Sequence, residues 1–183
     1  DIGGGTTDIA LIALSGIVCD QSIRVAGDTF NRDILDYMRR QHNLLIGERS
    51  AERVKIEVGS ALTELDDGPD DYEIRGRDLM TGIPKTIKIS YSEIAFALDK
   101  SVSKLEEAVL KALETSPPEL SADIYERGIY LTGGGALLRG LDKRLALKTK
   151  LPLHVADDPL RAVVRGTGQT LKNIAKFRAV LMT

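Results

Sequence analysis

A second cysteine is missing from this sequence, so Cys19 cannot close an intrachain disulfide. Histidine is nearly as scarce. His42 and His154 lie far apart, with no cysteine or acidic cluster at metal-ligand spacing, so the chain reads as zinc-free and, with its lone thiol, cytoplasmic. Basic charge is not in surplus: 25 Lys and Arg against 27 Asp and Glu leave a net charge of −2. That removes the broad positive field on which nucleic-acid binding depends, and no nucleic-acid partner is expected. No apolar run approaches the roughly 18 residues needed to span a bilayer. No basic segment followed by an apolar core opens the chain. What is present is an ordinary folding mixture, 43% hydrophobic and 28% charged over 183 residues. That is enough for one core, or one core with a small satellite.

Hydrophobic spacing divides the chain. Ile9 to Leu14 is continuously apolar, and Ser15 and Gly16 separate it from a second short run at Ile17 and Val18, which suits paired strands buried on both faces. Phe30, Ile34, Leu35 and Met38 recur at helical spacing after Gly27 and Asp28, in a helix expected to end near His42 and Asn43. A second helix is predicted from about Glu48 to Ala61, with Val54, Val58, Ala61 and Leu62 as its stripe. The acidic turn at 66–71 breaks it; lacking the alternating ligands and terminal Glu of a calcium loop, it reads as solvated. Tyr72 with Ile74, and Ile87, Ile89 and Tyr91, alternate with polar residues as two half-exposed strands.

A long helix then begins at Ser92 and Glu93, carries Ile94, Leu98, Val102, Leu105, Val109 and Ala112 inward, and stops before Pro117 and Pro118. The tail alternates a strand at Ile129 to Leu131, a helix after Gly135, a strand at Leu153 to Ala156, and helical segments from about Leu160 and Gly168. Alternation of this kind predicts an α/β fold with helices packed on a sheet. The expected organisation is a core of residues 1–42 and 92–183 with a small α+β subdomain, residues 43–91, inserted in it.

The strongest chemical signal is Asp1-Ile2-Gly3-Gly4-Gly5-Thr6-Thr7-Asp8, followed directly by a strand. Without Cβ obstruction, backbone N–H groups in such a turn can converge on anionic oxygens, and Thr6 and Thr7 add hydroxyls. A carboxylate just before such a loop can hold a water of a phosphate-bound Mg²⁺. The plain alternative is a glycine turn between strands. No Lys-Ser/Thr follows, so it is not a Walker loop, and no helix follows, so it is not a dinucleotide fingerprint. A second cluster, Leu131-Thr132-Gly133-Gly134-Gly135-Ala136, joins a strand to a predicted helix, where the backbone can approach a ligand closely or simply turn tightly. Between the two, Glu52 and Lys55 share one helical face, as an ordinary surface pair or as groups for a ribose and a purine edge.

These motifs resemble those of a known superfamily. The Asp1 to Asp8 loop resembles the second phosphate motif of actins, DnaK-like chaperones and sugar kinases, and Tyr130 to Leu138 resembles their adenosine motif. Within that superfamily the resemblance to the MreB-type bacterial actins runs essentially end to end. It takes in Val25-Ala26-Gly27-Asp28-Thr29-Phe30, the stretch from Gly47 to Lys55, Ser116-Pro117-Pro118-Glu119-Leu120, Glu126-Arg127-Gly128 and Asp157-Asp158-Pro159-Leu160.

The resemblance implies an actin-like ATPase (ribonuclease H-like) fold whose two halves close on ATP and Mg²⁺, with this chain as the C-terminal half, opening at Asp1 inside its glycine loop. By position, Gly3, Gly4, Gly5, Thr6 and Thr7 would hold the β- and γ-phosphates, Asp1 would face the Mg²⁺ water shell, and Gly27 would lie near ribose and phosphates. Glu52 and Lys55 would contact ribose and adenine, and Gly133, Gly134 and Gly135 would line the adenosine side. No residue is expected to act catalytically, because the first phosphate loop and the water-positioning groups belong to the other half. The intact family further implies self-association into filaments beneath the inner membrane and a role in rod shape through the cell-wall elongation machinery; no membrane contact is assignable to this half. The rival expectation is an ATPase fragment of a DnaK-like chaperone or of another actin-superfamily ATPase. The chaperone calls for an apolar linker and a peptide-binding domain, whereas this sequence stops soon after its last helix, and a sugar kinase calls for substrate-binding residues, none of which is identified in the sequence.

Overall fold

The computed structural model describes residues 1–13 and 16–177, so Leu14 and Ser15, the expected end of the first strand and its break, lie outside the described residues. In chain order the strands are β1 (Thr7–Ala13), β2 (Gly16–Ile23), β3 (Leu44–Leu45), β4 (Tyr72–Asp78), β5 (Pro84–Ile89), β6 (Ile129–Leu131) and β7 (Leu153–Val155). The helices are α1 (Gly27–His42), α2 (Glu48–Val58), α3 (Tyr91–Glu114), α4 (Ser121–Arg127), α5 (Leu141–Thr149), α6 (Ala162–Lys172) and α7 (Ile174–Phe177). The strands form an antiparallel pair β1-β2, a three-stranded sheet β3-β4-β5 and a parallel pair β6-β7.

α3 is the spine. Its predicted stripe of Ile94, Leu98, Val102, Leu105, Val109 and Ala112 is buried throughout, and it packs against α1, β1, β2 and α5. α1 contributes Phe30, Ile34 and Met38 to the same core and ends at Asn43 in the left-handed conformation that asparagine tolerates. One cluster runs from Ile2 through α1, α2 and α3 to Leu141 and Leu145 of α5. Among the described residues no helix is long and apolar enough to cross a membrane.

Several expectations shift for local reasons. β1 and β2 are not buried on both faces: Ile9 and Ile23 turn to the core, while Ile12 and Ile17, paired across the ladder, are 66% and 59% exposed. The run is apolar throughout, but α3 lies on one side of it only. α2 stops at Val58, short of Ala61, because Gly59 turns extended; Ala61 is still buried, from the segment that follows. Tyr91 opens α3 instead of closing a strand, and Ser90, not Ser92, caps it. The Glu93 N–H donates to Ser90 Oγ at 3.3 Å while the Ser90 N–H donates to Glu93 Oε2 at 3.1 Å, a reciprocal box that satisfies two otherwise orphaned donors. The expected helix after Gly135 is a single 3-10 turn, Gly134–Leu137, before α5 begins at Leu141. β7 ends at Val155, and Gly168 starts no helix of its own, lying inside α6. The paired strands of the small sheet gain a third, β3, which Leu44–Leu45 forms against Arg77 and Asp78.

Candidate functional site

The opening glycines do fold as a hairpin. Ile2 and Thr7 bridge antiparallel, the Gly3 N–H donates to Thr6 O at 2.9 Å, and the Asp8 N–H donates to Asp1 O at 2.8 Å. This sorts the expected phosphate residues into two groups. Gly3 spends its N–H on the turn, and buried Thr7 donates its hydroxyl to Val25 O at 2.6 Å, so both hold the loop's shape. Gly4, Gly5 and Thr6 face solvent, and their amides have no protein acceptor among the described residues. The Thr6 hydroxyl donates to Asp8 Oδ2 at 3.1 Å.

α1 docks its first turn against this loop. The N–H groups of Gly27 and Asp28 donate to Gly3 O and Gly4 O at 3.0 and 2.8 Å, so loop carbonyls occupy the positive end of the helix. The approach is close at Gly27: a Cβ there would meet Gly3 O and Lys55 Nζ, each at 3.3 Å, tighter than ordinary contact. Lys55 reaches in from α2, donating to Gly27 O at 3.2 Å and to Glu52 Oε2 at 2.8 Å. Glu52 Oε2 also accepts from Asn31 Nδ2 at 2.6 Å. The hydrogen bond from Lys55, and after it that from Asn31, hold the Glu52 carboxyl below the usual carboxylate range against the opposing effect of burial. The pair is thus more than a surface ion pair: Lys55 is mostly buried and ties α2 to the start of α1.

The second glycine cluster closes on the base of the first. Ile2 N–H donates to Thr132 O at 2.8 Å and Gly135 N–H to Ile2 O at 2.9 Å, while Gly133 N–H donates to Pro159 O at 2.9 Å. Gly133 sits at φ +82°, where a Cβ would strike Asp1 Oδ1 and Ile2 O, and a Cβ on Gly135 would strike the Ile2 side chain. Only Gly134 of the three is exposed. Beside Glu52, an open cleft of about 520 Å³ is lined by Asn31, Glu48, Glu52 and Arg53 among others. The structure therefore brings Asp1, Gly3–Thr7, Gly27, Glu52, Lys55 and Gly133–Gly135 into one connected set of contacts.

Two neighbours were not singled out from the sequence. Asn31 holds the carboxylate of Glu52, and Asp28 lies next to Gly4, whose Cβ position is 3.7 Å from Asp28 Oδ1. Their signal was the helical offset from Gly27, which places both residues on the first turns of the helix that abuts the loop.

The chemistry of the set fits a nucleotide: free amides at one end, a carboxylate and an ammonium at the other, and glycine backbone between them. Among the described residues no group of three or more His, Cys, Asp or Glu side chains converges as a metal site. A single half-exposed carboxylate, that of Asp1, suits an ion such as Mg²⁺ that keeps several waters and takes the rest of its ligands from phosphates.

Comparison with known proteins gives the same direction. A family model described as MreB/Mbl protein matches residues 1–179. The cell shape-determining protein Mbl of Bacillus subtilis is 49% identical over 177 residues, covering 97% of this chain and 53% of the relative. The cell shape-determining protein MreB of Escherichia coli is 48% identical over 174 residues, covering 95% and 50%. The chain spans about half the length of the curated relatives it matches. The crystal structure of MreB5 of Spiroplasma citri bound to AMPPNP shares the fold with a TM-score of 0.90 at 43% identity, over 96% of this chain and 52% of that one. The MamK double helical filament shares it with a TM-score of 0.76 at 22% identity. The fold is thus the α/β fold of actin-like ATPases, and the chain belongs to the MreB/Mbl family.

Proposed function

We propose that this chain forms one wall of an ATP-binding cleft in an MreB-type bacterial actin, with the solvent-facing amides of Gly4, Gly5 and Thr6 as the donors to the β- and γ-phosphates. Gly3 and Thr7 shape that loop, and Gly27 lets α1 approach it. Glu52 and Lys55 take the ribose and adenine edge, and Gly133, Gly134 and Gly135 back the adenosine side. Asp1 holds water on a phosphate-bound Mg²⁺. The observation that carries this reading is the convergence of the two glycine loops and the Glu52–Lys55 pair through Ile2, Gly3 and Gly27. It is supported by a 43% identical neighbour solved with AMPPNP and with ADP.

In this reading residues 43–91 form a small subdomain inserted into a core made of residues 1–42 and 92–183. Phosphoryl transfer depends on stabilising charge from all sides of the phosphates, so turnover belongs to the complete two-walled cleft and this chain alone binds without hydrolysing. The whole protein self-associates into filaments, a heterologous contact that extends because it does not close. Those filaments lie beneath the inner membrane and serve cell shape by organising the cell-wall elongation machinery.

The test is calorimetric titration with Mg-ATP of the chain and of its Gly4→Val variant. A Cβ at Gly4 has ordinary contact only, with Asp28 Oδ1 at 3.7 Å, so the variant is expected to fold while covering the proposed phosphate position. Weak binding that disappears in Gly4→Val supports the assignment; equal binding by both proteins rejects it.

A further inference from the structure

We propose that Arg139 and Arg144 are positioning residues that fasten the end of α2 to the second glycine loop, so that Glu52, Lys55 and Gly133–Gly135 meet a nucleotide as one rigid wall. This rests on the nucleotide reading above and adds to it a pair of residues outside the cleft.

α2 ends at Val58 with carbonyls that its own turns cannot satisfy. Arg139 supplies the missing donor: its Nη1 lies 2.9 Å from Ile56 O, which also sets a cation at the negative end of the helix. The chain beyond then runs alongside Arg139. Ser60 and Arg139 form a parallel bridge, the Ala61 N–H donates to Arg139 O at 2.8 Å, and fully buried Ser60 donates its hydroxyl to Leu62 O at 2.7 Å. Gly59 has no space for a side chain, since a Cβ would strike Lys55 O and come to 3.1 Å from Leu138 Cδ1. Leu138 and Arg139 directly follow the 3-10 turn that begins at Gly134. One short segment therefore links the helix carrying Glu52 and Lys55 to the loop carrying Gly133–Gly135.

Arg144 seats that segment on the spine. Its Nη1 donates to Ala61 O at 3.0 Å and lies 2.9 Å from Asp99 Oδ1, its Nε meets Glu106 Oε1 at 2.7 Å, and its Nη2 donates to Ser103 Oγ at 3.0 Å. Three of these four partners are on α3. Glu106 is buried, so the guanidinium and the carboxylate are retained as a pair, each satisfying the other. A guanidinium presents its donors in a fixed fork, which suits one residue that must hold a carbonyl, a hydroxyl and two carboxylates at set angles. Neither Arg139 nor Arg144 lines the open cleft beside Asn31 and Glu52; Ile56, whose carbonyl Arg139 holds, does.

The test uses Arg139→Ala and Arg139→Lys in the 183-residue chain, with two readouts. By amide hydrogen exchange, Arg139→Ala is expected to quicken exchange in the last turns of α2 and also at residues 134–138, leaving the β4-β5 hairpin unchanged, while Arg139→Lys retains most of the protection. By titration, Arg139→Ala is expected to weaken Mg-ATP ~tenfold, the effect of one lost hydrogen bond of ordinary strength, and to leave inorganic triphosphate binding as it was. Faster exchange confined to the end of α2 would overturn the proposal, because Arg139 would then be a local cap. An equal loss for ATP and triphosphate would overturn it as well. If the unmodified chain binds neither ligand, the nucleotide reading fails, and the exchange pattern still decides whether the strap couples the two elements.

Discussion

Gly133→Ala is the sharpest structural test of the seam between the two glycine loops. Gly133 has φ +82° and ψ 170°, a region open almost only to glycine, and its missing Cβ leaves space taken by Asp1 Oδ1 and Ile2 O. Holding alanine in that conformation costs about 1–3 kcal/mol. Pushing a methyl group against backbone that is itself hydrogen-bonded to Gly135 and Thr132 adds about 1–3 kcal/mol, as other overpacked sites do. The expected total is about 2–6 kcal/mol, which at about 2–4 °C per kcal/mol for a domain of this size lowers Tm by roughly 4–24 °C. Gly134→Ala is the matched control, since it is exposed and its Cβ would meet only the flexible tip of Leu160, at 3.1 Å. Circular dichroism melts of both variants decide the matter. If Gly133→Ala melts within about 1 °C of Gly134→Ala, against the spread expected for a strained site, the packing of the two loops described above is wrong.

Ser90→Ala removes one half of the capping box on the spine helix and should cost ~1 kcal/mol in urea unfolding, with no effect expected from Ser92→Ala. Asp33 and Glu52 should give opposite pH signatures. Burial pushes the Asp33 carboxyl above the usual range, partly offset by the Ser101 hydroxyl, and its Oδ2 is buried without a partner. A carboxyl raised on folding stabilises most below its unfolded pKa and loses that contribution as pH rises toward its folded value. Asp33→Asn should therefore raise the urea midpoint at neutral pH and change it less in acid, and an equal shift at both would refute the assignment. Glu52 is depressed, chiefly by Lys55, so its contribution is present above the unfolded pKa and fades as pH falls through the folded one. Lys55→Met should flatten that acid-side fall in stability, modestly because Glu52 is half exposed, and unchanged acid sensitivity would count against the pairing.

The parts of this structure that could be read from sequence were those fixed by one local rule. The α3 stripe from Ile94 to Ala112 repeats at helical spacing along most of a 24-residue helix, long enough to override any single ambiguous position. The glycine hairpin announced itself by composition. The start of α3 is displaced: the sequence pattern begins the helix at Ser92, whereas Ser90 is the residue with Glu93 three positions on and forms the cap. Burial on both faces of β1 was inferred from an unbroken apolar run, but periodicity cannot say whether a neighbour exists to cover the second face. In the site, type and order gave the glycines and the Glu52–Lys55 pair. They could not give Thr7 turning inward to Val25, nor Asn31 joining Glu52 from another helix, because both depend on how α1 meets the loop.

The accounting of donors limits how tightly this wall can hold a triphosphate. Gly3, Gly27, Asp28, Gly133 and Gly135 all spend their amides on other parts of the chain, and Lys55 is shared between Gly27 O and Glu52. On the proposed reading, the donors left for the phosphates are the three amides of Gly4, Gly5 and Thr6. Hydrogen bonds to a charged group contribute about 1.5–3 kcal/mol each, so three supply about 4.5–9 kcal/mol. Lost translational and rotational freedom takes back an estimated 4–15 kcal/mol. The balance is a few kcal/mol at most, which corresponds to a Kd on the order of millimolar or weaker. Titration should therefore give a shallow curve with inorganic triphosphate and Mg²⁺, and a submicromolar triphosphate Kd for this chain alone would mean that donors counted here as satisfied are released to the ligand.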